Sequence, residues 1–175
     1  EALVGCQNLN GRVVAHGDWL LAGVGGSLPC PSRTPGEYRE AHYTRVLEGI
    51  RNACEGQFER LILVSHQPPY GTEADRLPTG RHVGCRALRK FIDIVQPACC
   101  LTGHIHEAAS RSLVGRTVVL NPGRFRRGTW ARSGSNLVPA APFARRMLVC
   151  YPCVMNRFAG KTVIVANGAF PVHAT

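Results

Sequence analysis

The stretch best equipped for chemistry is Leu101-Thr102-Gly103-His104-Ile105-His106-Glu107. Its two histidines stand two positions apart behind an apolar run, Ala98-Cys99-Cys100-Leu101, that reads as a buried strand. In extended chain, residues i and i+2 share a face, so His104 and His106 would direct both imidazoles at one point. A neutral imidazole offers a ring-nitrogen lone pair and is the commonest metal-ligating side chain. Gly103 lets the backbone turn tightly just ahead of the pair. A third histidine, His66, closes the run Arg60-Leu61-Ile62-Leu63-Val64-Ser65. A continuous Leu and β-branched run marks a strand buried on both faces, as in a sheet covered by helices. The proline-stiffened Gln67-Pro68-Pro69-Tyr70-Gly71 beyond it occupies a place where open α/β sheets carry binding loops. If the two strands are neighbours, about 4.8 Å apart, the imidazoles of His66, His104 and His106 can converge on a metal ion.

The elements that must position these histidines are set by hydrophobic period. Residues 11–15 and 19–24 read as two strands around His16-Gly17-Asp18, where the Gly-Asp pair is turn chemistry rather than a ligand set. Residues 25–36, rich in Gly, Pro and Ser, form a loop. A helix is expected from Thr34, with Pro35 in its first turn and Glu37 completing a capping box. Tyr38, Tyr43, Val46, Leu47 and Ile50 recur at helical spacing along its apolar face. A second helix spans 85–95, with Leu88, Phe91, Ile92 and Val95 on one side, and Gln96-Pro97 stops it. After the His104/His106 strand, Leu113 to Leu120 reads as a hairpin centred on Gly115-Arg116, and Asn121-Pro122-Gly123 turns the chain away. Strand, helix, strand, helix, strand and hairpin make a layered α/β domain with α+β-like features.

Beyond Trp130 the pattern weakens. Residues 132–136 and 139–142 read as linker, and 147–154 and 162–166 as short strands with no evident partner. Phe125, Arg126, Arg127 and Trp130 are an aromatic-basic group that could meet nucleic acid or finish a terminal strand. Cys150-Tyr151-Pro152-Cys153 lacks the second pair or helix context that zinc or redox work requires.

At 175 residues the chain holds one domain comfortably. All 11 acids and eleven of the 21 Lys/Arg lie at or before Glu107, so the net charge of +10 belongs entirely to residues 108–175. Such a segment could attract nucleic acid or anionic lipid, or be simply a solvated tail. No apolar run approaches the roughly 20 residues of a membrane-spanning helix, which argues against a membrane partner. The first residues lack the marks of a signal peptide and read as a chain entered in the middle. Eight scattered cysteines, several inside apolar runs, fit a reduced cytoplasmic protein.

Taken as an ordered set, Ser65-His66-Gln67-Pro68-Pro69-Tyr70-Gly71-Thr72, Gly103-His104-Ile105-His106-Glu107 and Asn121-Pro122-Gly123 resemble the calcineurin-like metallophosphoesterase superfamily. The Gly25-Gly26-Ser27 loop with Thr34-Pro35-Gly36-Glu37, and His82-Val83-Gly84 ahead of a helix ending in Gln96-Pro97, are similar to its small prokaryotic members. The likeness covers residues 1–131; residues 132–175 form a basic, acid-free tail. The resemblance implies a four-layer α/β/β/α sandwich, here partial and without its N-terminal strands. It also implies a pair of divalent metal ions (Mn, Fe, Zn, Ni or Mg), with His66 and His104 on one metal and His106 on the other. The implied activity is hydrolysis of a phosphate monoester or diester, in which two metals serve an in-line attack on phosphorus. The family's Asp-x-His, Gly-Asp and Gly-Asn motifs, which supply the remaining ligands, do not stand ahead of the first hairpin, and Gly17-Asp18 is in the wrong context to replace them. The expectation is therefore an N-terminally truncated member that is inactive or feeble alone. The alternatives are a non-catalytic interaction module of the same fold, and a nucleic-acid binder acting through the basic tail.

Overall fold

The computed structural model of the chain describes residues 7–31 and 35–123, together with the strand residues 131–132, 147–150 and 162–165. Strands β1 (Val13–His16) and β2 (Trp19–Val24) form the expected hairpin, with His16 opposite Trp19. Gly17 takes φ +56° at the turn, a conformation glycine adopts without a Cβ penalty. Helix α1 (Glu40–Ala53) leads to β3 (Leu61–Ser65), and α2 (Arg86–Val95) to β4 (Cys99–Leu101). The hairpin of β5 (Ser110–Val114) and β6 (Thr117–Asn121) completes a six-stranded sheet in the order β1-β2-β3-β4-β6-β5. Its four inner strands are parallel to their inner neighbours, and the edge strands β1 and β5 run antiparallel. The carboxyl ends of β2, β3, β4 and β6 therefore open onto one edge of the sheet. The Gly25-Gly26-Ser27 loop, His66, the His104/His106 segment and Asn121-Pro122-Gly123 all begin there.

Period two sorts the strand residues into two cores. Ala22, Val24, Leu61, Leu63, Cys100 and Val119 meet Tyr43, Leu47 and Ile50 of α1 and Leu88, Phe91 and Ile92 of α2. Leu21, Ile62, Val64, Cys99, Leu101, Val118 and Leu120 form the second core on the opposite face. Both helices lie on a single face, and among the described residues no helix contributes to the other.

The start of α1 differs from expectation. The helix begins at Glu40, and Arg39 at its N-cap makes no side-chain cap bond. The Pro35-Gly36-Glu37 segment is drawn instead into a bridge between Ser27 and Glu37. Ser27 N donates to Gly36 O at 3.1 Å and Tyr38 N to Ser27 O at 2.7 Å. Gly36 sits at φ +84°, outside helical geometry. Tyr38 consequently precedes the helix and is exposed, whereas Tyr43, Leu47 and Ile50 are buried as their spacing predicts.

Glu40, in the first turn of α1, serves its neighbour. Its carboxylate accepts from Arg86 N at 2.8 Å and Ala87 N at 2.7 Å, and from the Cys85 thiol at 3.2 Å. Cys85 Sγ in turn accepts from Leu88 N. The first amides of α2, which no intrahelical carbonyl can satisfy, are thus capped by another helix.

Strands β7 (Ala131–Arg132), β8 (Met147–Cys150) and β9 (Thr162–Val165) form a separate sheet in the order β7-β8-β9. The two late apolar runs find partners in each other, as a parallel pair. The aromatic-basic group at 125–130, the linkers within 133–146 and the Cys-x-x-Cys motif beyond Cys150 lie outside the described residues.

Candidate metal centre

Parallel pairing of β3 with β4, with Val64 opposite Leu101, brings the two histidine-bearing strand ends side by side. Gly103 N donates to His66 O at 3.3 Å, so the backbones stay in register past the last ladder pair. The side chains meet directly. His66 Nε2 lies 3.0 Å from His104 Nδ1, and the ring centroids are 4.8 Å apart at an edge-on 67°. A neutral imidazole has one N–H and one lone pair, so one ring donates here and the other accepts.

His106 is placed differently. The chain leaves extended geometry at His104, whose φ is +61°, so the same-face argument for positions 104 and 106 does not hold. Ile105 N donates to Gly103 O at 2.6 Å and Ala108 N to Ile105 O at 3.1 Å. These tight turns bury Ile105, while His66 and His104 are half-buried and His106 is exposed. Among the described residues no three His, Cys, Asp or Glu side chains are arranged to hold a metal ion.

Buried polar groups hold this bend in place. Asn121, at the end of β6, donates through Nδ2 to Ile105 O at 2.8 Å and to Ala74 O at 3.2 Å. Its Oδ1 accepts from Gly123 N at 2.9 Å. Gln67, next to His66, accepts from Leu28 N at 3.1 Å and donates to Val83 O at 2.9 Å. That one buried amide ties the loop after β2 to the strap that precedes α2. Asp75, wholly buried, accepts from Thr72 N, Gly71 N and Gly84 N and from His82 Nδ1 at 2.7 Å. A Cβ on Gly84 would stand 2.7 Å from Asp75 Oδ2 and from Pro68 O, so only glycine fits that approach.

Burial pushes the His104 pKa below its ordinary 6.5, and His106 lowers it further; Glu37 and Glu107 oppose them. The net effect favours the neutral ring, the form with a free lone pair. Glu37, Gln67 and Asp75 are site residues that sequence reasoning missed or assigned elsewhere. Glu37 had a ready place in a capping box, and the other two depend on partners that only the fold brings near. His16 flanks the turn glycine, and Asp18 contributes its carbonyl to the Arg60 Nε–H.

Comparison with known proteins agrees with this architecture. Residues 8–135 match the model of the family described as metallophosphoesterase, calcineurin superfamily. A protein of Methanocaldococcus jannaschii, the uncharacterized protein MJ1162, is 37% identical over 120 residues, covering 66% of this chain and 53% of its own length. One solved crystal structure superposes with a TM-score of 0.56 at 26% identity, covering 69% of this chain and 47% of that one. The crystal structure of TT1561 of Thermus thermophilus is 18% identical with a TM-score of 0.48, over 70% of this chain and 52% of that one. The chain spans about half the length of the relatives it matches.

Proposed function

The chain belongs to the calcineurin superfamily of metallophosphoesterases, and from that membership we propose that it carries the histidine half of a divalent-metal phosphoesterase site. We propose further that these 175 residues by themselves act as a non-catalytic module of the fold. The observation that carries the reading is the 3.0 Å approach of His66 Nε2 to His104 Nδ1. Two nitrogens bound to one ion at about 2.0–2.1 Å each stand roughly 3 Å apart, so the pair has the spacing of two ligands as well as that of a hydrogen bond. His66 and His104 would hold one ion, of Mn, Fe, Zn, Ni or Mg, and the exposed His106 would face a second. When bound, divalent ions neutralise charge on the phosphoryl oxygens of a phosphate ester. The protein's own contribution is to keep His104 neutral and to fix the bend through Asn121.

The non-catalytic part rests on what accompanies the pair. No carboxylate completes a set of three ligands among the described residues, and hydrolysis through two metals needs a fuller set. In this reading residues 1–131 are the family domain and 132–175 a basic tail. The apolar face built on Ile62, Leu101 and Leu120 would carry the second sheet of a four-layer sandwich. The free cysteines at positions 30, 54, 85, 99 and 100 fit a cytoplasmic setting, and no helix among the described residues is long and apolar enough to cross a membrane. The concentration of positive charge after Glu107 favours nucleic-acid binding as a lesser reading, which steep weakening with salt would identify.

Calorimetric titration with Mn2+ and hydrolysis of a generic phosphodiester test the proposal. The expected result is Mn2+ binding that falls at least about tenfold in His104→Ala, with no turnover in either protein. Absence of Mn2+ binding would overturn the metal assignment. Mn2+-dependent turnover that His104→Ala abolishes would overturn the non-catalytic one.

A further inference from the structure

We propose that His82, held by Asp75 on the strap before α2, binds the oxyanion of a phosphate monoester, with Arg86 as its cationic neighbour. The phosphoesterase reading above supplies the class of ligand, and the geometry stands without the metal ions. The wholly buried Asp75 carboxylate accepts Thr72 N and Gly84 N, each at 2.8 Å, and Gly71 N at 3.2 Å. His82 Nδ1 donates to Oδ1 at 2.7 Å and takes the place that remains. Three amides already satisfy the carboxylate, so its burial does not call for the ring. What the bond does is fix the orientation and the tautomer of the imidazole, as a buried acid does for an acid–base histidine. The side chain of His82 is 32% exposed. Its Nε2 has no hydrogen-bond partner among the described residues and is open to solvent.

The surroundings suit an anion. The Tyr70 ring centroid stands 5.9 Å from that of His82, and the Arg86 guanidinium lies over the Tyr70 ring at 3.8 Å. Arg76 and Arg89 pair with Glu73 and Asp93, whereas the Arg86 guanidinium meets no carboxylate among the described residues. The strap is also anchored beside the histidine pair, through the residues next to Asp75 and His82. Val83 O accepts from Gln67, the residue after His66. Ala74 O and Ile105 O share the Nδ2 of Asn121, at 3.2 and 2.8 Å, which sets the residue before Asp75 close to the one between His104 and His106. A phosphate monoester gives up its second proton at about pH 6, so it can bring a hydrogen that its oxygen and Nε2 share. The guanidinium would meet a second oxygen. No bond to phosphorus forms or breaks in this step.

The test uses the whole metal-free chain, with phenyl phosphate and inorganic phosphate as probes at constant ionic strength. Phenyl phosphate should bind saturably in a calorimetric titration and shift the magnetic-resonance signal of the His82 ring. His82→Asn keeps a donor to Asp75 in place of Nδ1 and removes Nε2. It should weaken phenyl phosphate binding by about tenfold or more at an unchanged melting temperature, and Arg86→Gln should weaken it comparably. Unchanged affinity in His82→Asn would overturn the inference, and in Arg86→Gln would remove the arginine from it. A lowered melting temperature with unchanged affinity would leave His82 a fastening of the strap only. Should His82→Asn fail to fold, the wild-type ring signal decides, and no saturable shift overturns the inference. Binding of inorganic phosphate without phenyl phosphate would overturn the ester assignment. A wild type that binds Mn2+ but not phenyl phosphate would sink this inference and leave the metal assignment standing. Binding of phenyl phosphate that His82→Asn weakens, in a protein that takes up no Mn2+, would uphold it while the metal assignment falls.

Discussion

Asn121 shows how much of the site depends on a side chain that does no chemistry. Its amide joins the end of β6 to Ile105 between the two histidines, and to Ala74 in the strap. Truncation would remove the Asn121 partner of Ala74 O and of the Gly123 amide, while Ile105 O would keep Ala108 N as a donor, and each unsatisfied group costs about 1–3 kcal/mol. Asn121→Ala should therefore lose about 3 kcal/mol in urea unfolding, with an unchanged denaturant slope. A loss below about 0.5 kcal/mol would mean that other contacts hold the bend. Such a residue is hard to identify in advance, because Asn-Pro-Gly is also ordinary turn chemistry. Gln67 is harder still, since its partner Leu28 is 39 positions away, and Asp75 gathers its partners only when the chain around it curls back. Position 66 was readable because a polar residue ended an apolar run.

At the scale of elements, the strands and α2 were legible because alternation and 3.6-residue spacing survive in the sequence. The start of α1 was not. A good capping pattern at Thr34 and Glu37 competed with a bridge to Ser27, and the bridge wins through two backbone hydrogen bonds. A run buried on both faces does not say what covers each face, so the sequence alone left the helix layers open. The contact between the helices offers a test. Glu40→Ala would strip α2 of a cap that satisfies two amides, and losses of N-caps cost about 1–2 kcal/mol. Urea unfolding should report that loss, while the helical circular dichroism of the folded protein stays at the wild-type level. Destabilisation within about 0.3 kcal/mol would show that the Cys85 thiol suffices as a cap.

For the whole molecule, Cys99 and Cys100 on β4 and Cys54 and Cys85 at helix ends lie in the apolar cores. Burial pushes the Cys99 thiol up to about 12 from an ordinary 9.0, and burial also raises Cys54, Cys85 and Cys100. A thiol whose pKa is higher in the fold than in the unfolded chain favours the fold fully below about pH 9. That contribution is lost as pH rises from about 9 through the folded value. Stability should accordingly decline between about pH 9 and 12. At about pH 8 in the native protein a thiol reagent should reach the half-buried Cys30 well before Cys99 or Cys100. Peptide mapping that finds Cys99 labelled as fast as Cys30 would contradict the closed core.

The left-handed backbone at His104 sets stability and chemistry against each other. A residue with a Cβ gives up about 1–2 kcal/mol in that conformation, and glycine does not. Selection for heat resistance alone would push position 104 toward glycine, discarding the imidazole that faces His66. The histidine is the thermodynamically inferior choice for the bend, a cost that the proposed metal reading would account for by its ring.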